Sequence, residues 1–205
     1  MEGGVIRATS SDDAVSVSRG TDAGREDDGS RMYMRGGRLV AHGSGDGVDI
    51  NGSGEMSGGT LIIFGPNARN NGALDYNGSF EISGGMLVGV GGAGMAQAPA
   101  ASSAQNSLLV FFDGSQSAGT LVHLQSADGT ELVTLEGPSD GYQSFVFSSP
   151  AFVSGESYAV YLGGSHSGTN EDGLFSGGAY TPGSEYDSFT ASGGVTQLGS
   201  GGGRP

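Results

Sequence analysis

Short stretches that alternate apolar and polar residues recur through the first half of the chain. Four of them align after a double glycine: GGVIRAT from Gly3, GGRLVAH from Gly36, GGTLIIF from Gly58 and GGMLVGV from Gly84. A second block follows each one (AVSVS, GVDIN, ALDYN, GMAQA), and a third precedes the double glycine in RMYMRGG, SGEMSGG and SFEISGG. Three short strands per unit predict a right-handed parallel β-helix of about three to four coils over residues 1–98.

Aligned apolar positions of successive units are expected to stack in three inward-facing ladders. These are Ile6, Leu39, Leu61 and Leu87; Val15, Val48, Leu74 and Met95; and Met34, Met56 and Ile82. The double glycines are then corners, where the chain needs a positive φ or a close approach between backbones. The alternative is a disordered Gly-rich linker, which would have no reason to keep apolar residues in register.

From about Ala98 the repeat stops and a different pattern begins. The segments NSLLVFF, TLVHLQ, ELVTLE, YQSFVFS and ESYAVYLGG alternate with period two, and SADGTE is typical of a hairpin turn. We therefore expect residues 99–198 to form half-exposed antiparallel strands that pack against the last coil and cap its open edge. Residues 199–205, GSGGGRP, are predicted to be a disordered tail.

Composition and charge narrow the choice of partners. The chain has 205 residues, 42 Gly, no Cys and a formal net charge of −14, and all of its 8 basic residues are Arg. Nucleic acid is an unfavourable partner for such an anion, and no apolar run approaches the ~20 residues of a membrane span. The lack of Cys excludes disulfides and thiolate metal sites. No signal peptide is visible after Met1, so the protein is made without one or the sequence begins inside a longer protein.

Stacking of the second block places acidic side chains of successive coils side by side. Asp49 and Asp75 would share one outward position with Ser16, Asn51 and Asn77 another with Ser18, and Asp13 and Asp46 a third. At a strand spacing of ~4.8 Å, Asp49 and Asp75 are like charges at close range, which a Ca²⁺ ion with six to eight oxygen ligands would neutralise. The predicted calcium ligands are Asp12, Asp13, Asp27, Asp28, Asp46, Asp49, Asn51, Asp75 and Asn77. The alternative is that these residues are solvated turn formers.

The segments GDGVDINGSGEMSGGTLIIFGP, NNGALDYNGSFEISGG, GMAQAP, QNSLLVFF, QSAGTLVHLQ and YQSFVFSSP resemble the bacterial carbohydrate-binding domain-containing family. The resemblance covers roughly residues 3–198. It implies a secreted or cell-surface parallel β-helix protein, similar in fold to pectate lyases, that binds calcium and plant-type polysaccharides such as polygalacturonate and cellulose. It also implies a calcium role for Asp12, Asp13, Asp27, Asp28, Asp46, Asp49 and Asp75.

The predicted function is therefore non-catalytic, calcium-dependent binding of an acidic or cellulosic polysaccharide by a monomer outside the cell. Bound calcium would bridge carboxylates of the protein and of uronate sugars. Tyr33, Tyr76 and Phe80 are expected at outer positions, where they could stack on sugar rings, although ordinary packing of these rings is an alternative.

Two other functions stay open. A β-helix is a rigid rod, so the protein could be a scaffold or adhesin without glycan specificity. A calcium-dependent polysaccharide lyase would need an arginine base beside the metal. The candidates Arg7, Arg31, Arg35, Arg38 and Arg69 do not recur within the aspartate block. The three histidines, His42, His123 and His166, are dispersed, and each is expected to be a surface or strand residue rather than a base.

Overall fold

A computed structural model describes residues 1–20 and 24–201, and these residues form nineteen β-strands and no helix. The predicted all-β class is confirmed. Of the predicted tail, residues 202–205 lie outside the described residues. The strands are β1 (Val5–Ser10), β2 (Val15–Val17), β3 (Arg31–Met34), β4 (Arg38–Gly43), β5 (Val48–Ile50), β6 (Ser53–Phe64), β7 (Leu74–Tyr76), β8 (Phe80–Gly91), β9 (Ser107–Gln116), β10 (Leu121–Ser126), β11 (Glu131–Glu136), β12 (Tyr142–Ser148), β13 (Ser157–Leu162), β14 (Ser165–His166), β15 (Thr169–Glu171), β16 (Leu174–Ser176), β17 (Tyr180–Thr181), β18 (Ser184–Thr190) and β19 (Val195–Leu198).

Parallel pairing of the first strands follows the glycine repeat. In the large sheet β1 pairs with β4, β4 with β6 and β6 with β8, while β3 pairs with β6 beside this path. Two predicted ladders are observed as Cα partners across these strands, namely Ile6–Leu39–Leu61–Leu87 and Met34–Met56–Ile82. The register was predictable because a slip of one residue would turn every apolar side chain to the opposite face.

The second block of each unit forms a separate parallel sheet of three strands, β2, β5 and β7. Val15, Val48 and Leu74 are partners in it, as predicted. Met95 does not extend this ladder, because its segment lies outside the strands. There the side chain of Gln97, rather than a backbone carbonyl, accepts the hydrogen bond from the Tyr76 N–H at 2.9 Å.

Two of the four double glycines lie inside long strands, whereas Gly36 and Gly37 lie between β3 and β4 and the first pair precedes β1. The third block and the following first block form one strand in β6 and in β8, with a register shift at the glycines. Gly59 has a φ of +88°, and a Cβ placed on it would lie 2.7 Å from the Gly37 carbonyl oxygen of the preceding unit. Glycine is thus required here both by the φ angle and by the close backbone approach, as the sequence predicted.

The large sheet continues into the second half of the chain. β12 pairs antiparallel with β8, β9 antiparallel with β12, and β19 parallel with β9, so this sheet is mixed. The edge of β8 is therefore covered by β12. The prediction that NSLLVFF and YQSFVFS are half-exposed strands is wrong, because β9 over residues 107–112 and most of β12 are buried.

These strands are buried because the large sheet lies between two cores. Along β6, Leu61 and Ile63 face the core shared with β2, β5 and β7, whereas Ile62 and Phe64 face the opposite core. A six-stranded sheet in the order β15-β16-β11-β10-β13-β18 covers this second core, with Val122 among its buried residues. The predicted SADGTE hairpin turn joins β10 and β11 within that sheet.

Candidate metal centre

Three of the predicted ligands converge on the outer surface of the three-stranded sheet. Asp49 on β5 and Asp75 on β7 are Cα partners. Their neighbours Val48 and Leu74 are fully buried, so the alternation of the strand turns both carboxylates outward. Asp46 precedes β5 in the turn after β4, and carboxylate oxygens of all three residues lie within 4.8 Å of one another.

Backbone contacts between successive units fix the position of Asp46. Its Oδ1 accepts a hydrogen bond from the Gly72 N–H at 2.6 Å, and its own N–H donates to Asp13 Oδ1 at 2.7 Å. A Cβ on Gly45 would lie 2.5 Å from that same Asp13 oxygen, so the turn depends on glycine. Asp13 thus positions Asp46, and its Oδ1 oxygen is already engaged.

The electrostatic environment of this triad, Asp46, Asp49 and Asp75, disfavours a third negative charge. Partial burial raises the pKa of the Asp46 carboxyl to about 7, and the carboxylates of Asp75, Asp13 and Asp49 act in the same direction. The hydrogen bond from Gly72 opposes this rise. A cation at the triad would relieve both the repulsion and the cost of burying charge.

The donor chemistry of the triad fits a hard divalent cation. Three carboxylates offer only oxygen atoms, and Ca²⁺ takes six to eight oxygens from mono- or bidentate carboxylates, carbonyls and water. The three side chains are half-buried, so water can complete the coordination shell. Asp46, Asp49 and Asp75 would hold the ion.

Asp28 is used differently from the prediction. Its two oxygens accept hydrogen bonds from the N–H groups of Ser30 and Arg19, both at 2.7 Å. Interactions with Ser30 and then with Arg19 lower the pKa of Asp28 to about 2. This carboxylate therefore stabilises its own loop, as the turn-former alternative expects.

Asp27 also has protein partners rather than a place in the triad. Its Oδ1 accepts hydrogen bonds from the Gly29 N–H at 2.7 Å and from Arg31 Nη1 at 2.9 Å. Its Oδ2 accepts one from the Ser53 hydroxyl at 3.0 Å. The loop does fold over the corner of the neighbouring unit, but the lone pairs of Asp27 are directed to the chain itself.

Asn51 and Asn77 form an amide pair at the same corner. Asn77 Nδ2 donates to Asn51 Oδ1 at 3.5 Å and to the carbonyls of Gly24 and Glu26 at 3.4 Å. These bonds attach the loop to the coils. Asp12 is exposed, and its backbone carbonyl accepts the Gly45 N–H at 3.1 Å. The Asp12 carboxylate is not part of the triad.

The aromatic residues proposed for sugar stacking differ in exposure. Phe80 is 1 % exposed, so the expectation of an outer position is wrong; its ring lies in the core between the large sheet and the three-stranded sheet. Tyr76 is half-buried, and its hydroxyl donates to the Ala98 carbonyl at 2.8 Å. Tyr33 is exposed, with the Arg35 guanidinium carbon 5.1 Å from its ring centroid.

Four of the five arginines considered as a catalytic base pair with carboxylates outside the triad. The pairs are Arg7 with Glu171 and Asp172, Arg31 with Asp27, Arg35 with Glu2, and Arg38 with Asp172. The fifth candidate, Arg69, lies in the segment between β6 and β7. The Gly72 N–H also contributes to the site, because it donates a hydrogen bond to Asp46. Its only signal in the sequence is the NNG turn before ALDYN.

Comparisons of the chain with protein-family models, with curated proteins and with solved structures find no match. The resemblance to the carbohydrate-binding domain-containing family therefore stays a prediction. Among the residues that the structure describes, no helix has the length and apolarity needed to cross a membrane.

Proposed function

We propose that the chain is a non-catalytic, calcium-dependent polysaccharide-binding protein of the cell exterior or cell surface. The observation that carries this proposal is the convergence of Asp46, Asp49 and Asp75 within 4.8 Å of one another. An ion held there provides positive charge on a protein whose net charge of −14 would otherwise repel an acidic glycan. Uronate carboxylates can then complete the coordination shell of the ion.

The fold that we propose for the first half is a short right-handed parallel β-helix. Its support is the repeated parallel pairing at one register in three places: the first, second and third blocks of successive units. Such stacking explains why acidic residues at equivalent repeat positions become neighbours. The site is thus a consequence of the repeat rather than of a special loop.

Two experiments test the proposal. Isothermal titration with CaCl₂ is expected to show binding that is lost in Asp49→Asn and retained in Glu156→Gln, an exposed carboxylate outside the triad. Affinity electrophoresis through polygalacturonate is expected to show retardation with calcium and none with EDTA. Absence of calcium binding by the wild-type protein would contradict the proposal, and so would retardation that EDTA leaves unchanged.

One observation favours the scaffold alternative. β1 lies at the edge of the large sheet, and Val5 and Ile6 on it are 57 % and 50 % exposed. An apolar edge strand is a surface on which other chains can add. Self-association together with no retardation by polygalacturonate or cellulose derivatives would support the scaffold over the binding protein.

A lyase has less support from the site. The charged groups that raise the pKa of Asp46 are all carboxylates, and Arg7, Arg31, Arg35 and Arg38 are paired elsewhere. Incubation with polygalacturonate and calcium is expected to give no sustained rise in absorbance from unsaturated product. A rise in absorbance that EDTA abolishes would show lyase activity and would contradict the proposal of non-catalytic binding.

A further inference from the structure

A cleft of about 330 Å³ lies on the opposite side of the large sheet from the three-stranded sheet. Its floor includes Val40, His42 and Phe64, and its other wall includes Pro138 of the loop after β11 and Gly173 of the turn between β15 and β16. The volume is within the range of about 300 to 1,000 Å³ that is usual for small-ligand sites. The cleft shares no residue with the aspartate triad.

The floor presents the half-buried imidazole of His42, with polar groups beside it, over the Phe64 ring, which is 7 % exposed. Thr9, His42 and Phe64 are Cα partners in one row across β1, β4 and β6. The rings of His42 and Phe64 have centroids 5.4 Å apart and are tilted by 40°. Among the described residues, neither the imidazole of His42 nor the hydroxyl of Thr9 has a hydrogen-bond partner. Both groups are thus available to a ligand.

The wall includes a tight hairpin turn whose position is fixed by ion pairs. Asp172 has a φ of 56° and is the one non-glycine residue with a positive φ in the described part of the chain. Its carboxylate accepts hydrogen bonds from Arg7 Nε at 2.6 Å and Arg38 Nε at 3.1 Å, which tie the turn to β1 and β4. A Cβ on Gly173 would lie 2.9 Å from Phe64 Cζ, so the turn rests directly on the floor. Asp172 and Gly173 are the two central residues of a hairpin between β15 and β16, and a positive φ at both is the usual conformation of an Asp-Gly turn.

The charges around the cleft select against an anionic ligand. Arg7 and Arg38 are offset by Asp172 and Glu171, and the Glu136 carboxylate adds one further negative charge. A neutral ring with an apolar face and several hydroxyl groups matches this surface better than a uronate does. Its C–H face would pack on the His42 ring, and its hydroxyls would reach His42, Thr9 and Glu136.

We propose that this cleft binds one neutral pyranose unit of a glycan, and that it does so without calcium. The proposal rests on the proposed function in that it takes a glycan as the ligand. It differs in the chemistry of recognition, because the triad would bind acidic sugars through an ion whereas the cleft would bind neutral sugars through rings and hydrogen bonds.

The test is a titration of the full chain with cellotetraose in EDTA, with binding measured by calorimetry or by ligand-observed NMR. We expect saturable binding that His42→Ala weakens about tenfold, the ratio expected for loss of one good ring contact. Thr9→Val, which keeps the shape and removes the hydroxyl, is expected to weaken binding severalfold. Val153→Ala, at an exposed apolar side chain outside the cleft, serves as the control and should leave the affinity unchanged.

The outcomes separate this proposal from the calcium site. The proposal that the cleft binds a neutral sugar is wrong if cellotetraose does not bind in EDTA. It is also wrong if both His42→Ala and Thr9→Val leave the binding unchanged. If Tyr33→Ala weakens binding and the cleft variants do not, the sugar binds at Tyr33, and the cleft proposal is likewise wrong. The proposed function fails on a different result, the lack of calcium-dependent retardation by polygalacturonate.

Discussion

Asp49 and Asp75 are direct Cα partners on the parallel strands β5 and β7, and their carboxylates meet that of Asp46. Like charges directly opposite on neighbouring strands are destabilising. A folded state that gathers such charges gains more from a bound cation than the unfolded chain does, because the unfolded chain does not hold the three groups together.

Calcium is therefore expected to raise the thermal midpoint of unfolding. At a free concentration one hundredfold above Kd the gain is ~2.7 kcal/mol, which scanning calorimetry in CaCl₂ and in EDTA measures. Asp49→Asn should lose most of this difference, whereas Glu156→Gln should keep it. Equal midpoints of the wild-type protein in calcium and in EDTA would contradict a calcium site at the triad.

The glycine corners yield a prediction that does not depend on any ligand. Gly59→Ala places a Cβ 2.7 Å from the Gly37 carbonyl at a φ of +88°, so we expect a loss of about 1–3 kcal/mol in the free energy of unfolding. The matched control is Gly114→Ala on β9, where a Cβ meets no atom within 4 Å and φ is not positive. Urea unfolding of both variants gives the comparison. Equal stabilities would show that the corner does not require glycine.

The parallel pairing of the repeat units could be predicted from the sequence because two independent signals agree there. The double glycines mark each unit, and Leu39, Leu61 and Leu87 follow at the same offset, so the register is determined twice. The partnership of Asp49 with Asp75 follows from that register without further information. Local repeats of this kind encode their own neighbours.

Long-range packing could not be predicted in the same way. The burial of β9 depends on β10, β11 and β13, which cover one face of a sheet that begins at β1, and no local pattern states that packing. For the site, Asp27 and Asp28 have the right chemistry for calcium but bond to their own loop. The expected outer position of Phe80 was wrong because alternation places Phe80 on the same face as the inward-facing Ile82 two residues later.

The Asp172 ion pairs attach the six-stranded sheet to β1 and β4, and they should weaken in acid. Hydrogen bonds and charge from Arg7, and then from Arg38, lower the pKa of Asp172. The stability that these pairs contribute is therefore complete above the usual carboxyl pKa, and it is lost as pH falls through the lowered value in the folded protein.

Asp172→Asn keeps a residue type that tolerates a positive φ but removes the charge. We expect the thermal midpoint at pH 7 to fall by about 2–4 °C at low salt, with a smaller fall in high salt and in strong acid. Asp187→Asn, an exposed carboxylate on β18, is the control and should change little. An equal effect of both substitutions would show that the Asp172 pairs contribute nothing specific.

His123 gives the clearest pH dependence. It is 1 % exposed on β10, with the Tyr180 ring stacked on it at 3.8 Å between centroids. Gln125 Oε1 can only accept a hydrogen bond, so His123 Nε2 carries a proton and donates it to this oxygen over 3.1 Å. His123 Nδ1 then accepts a hydrogen bond from the Thr134 hydroxyl at 2.7 Å. The remaining groups that face this imidazole are Tyr161, the Glu131 carboxylate and His166.

Burial lowers the pKa of His123, and the nearby Gln125 and Glu131 oppose this only in part. The unfolded chain then takes up a proton near pH 6.5 before the folded protein does, so the free energy of unfolding should fall as pH drops from 6.5 towards the lowered value. His123→Gln should be less stable at pH 8 but show a flatter slope between pH 5 and 7 in urea unfolding. Imidazole ¹⁵N shifts give a direct check, and titration of His123 at or above pH 6.5 in the folded protein would refute the prediction.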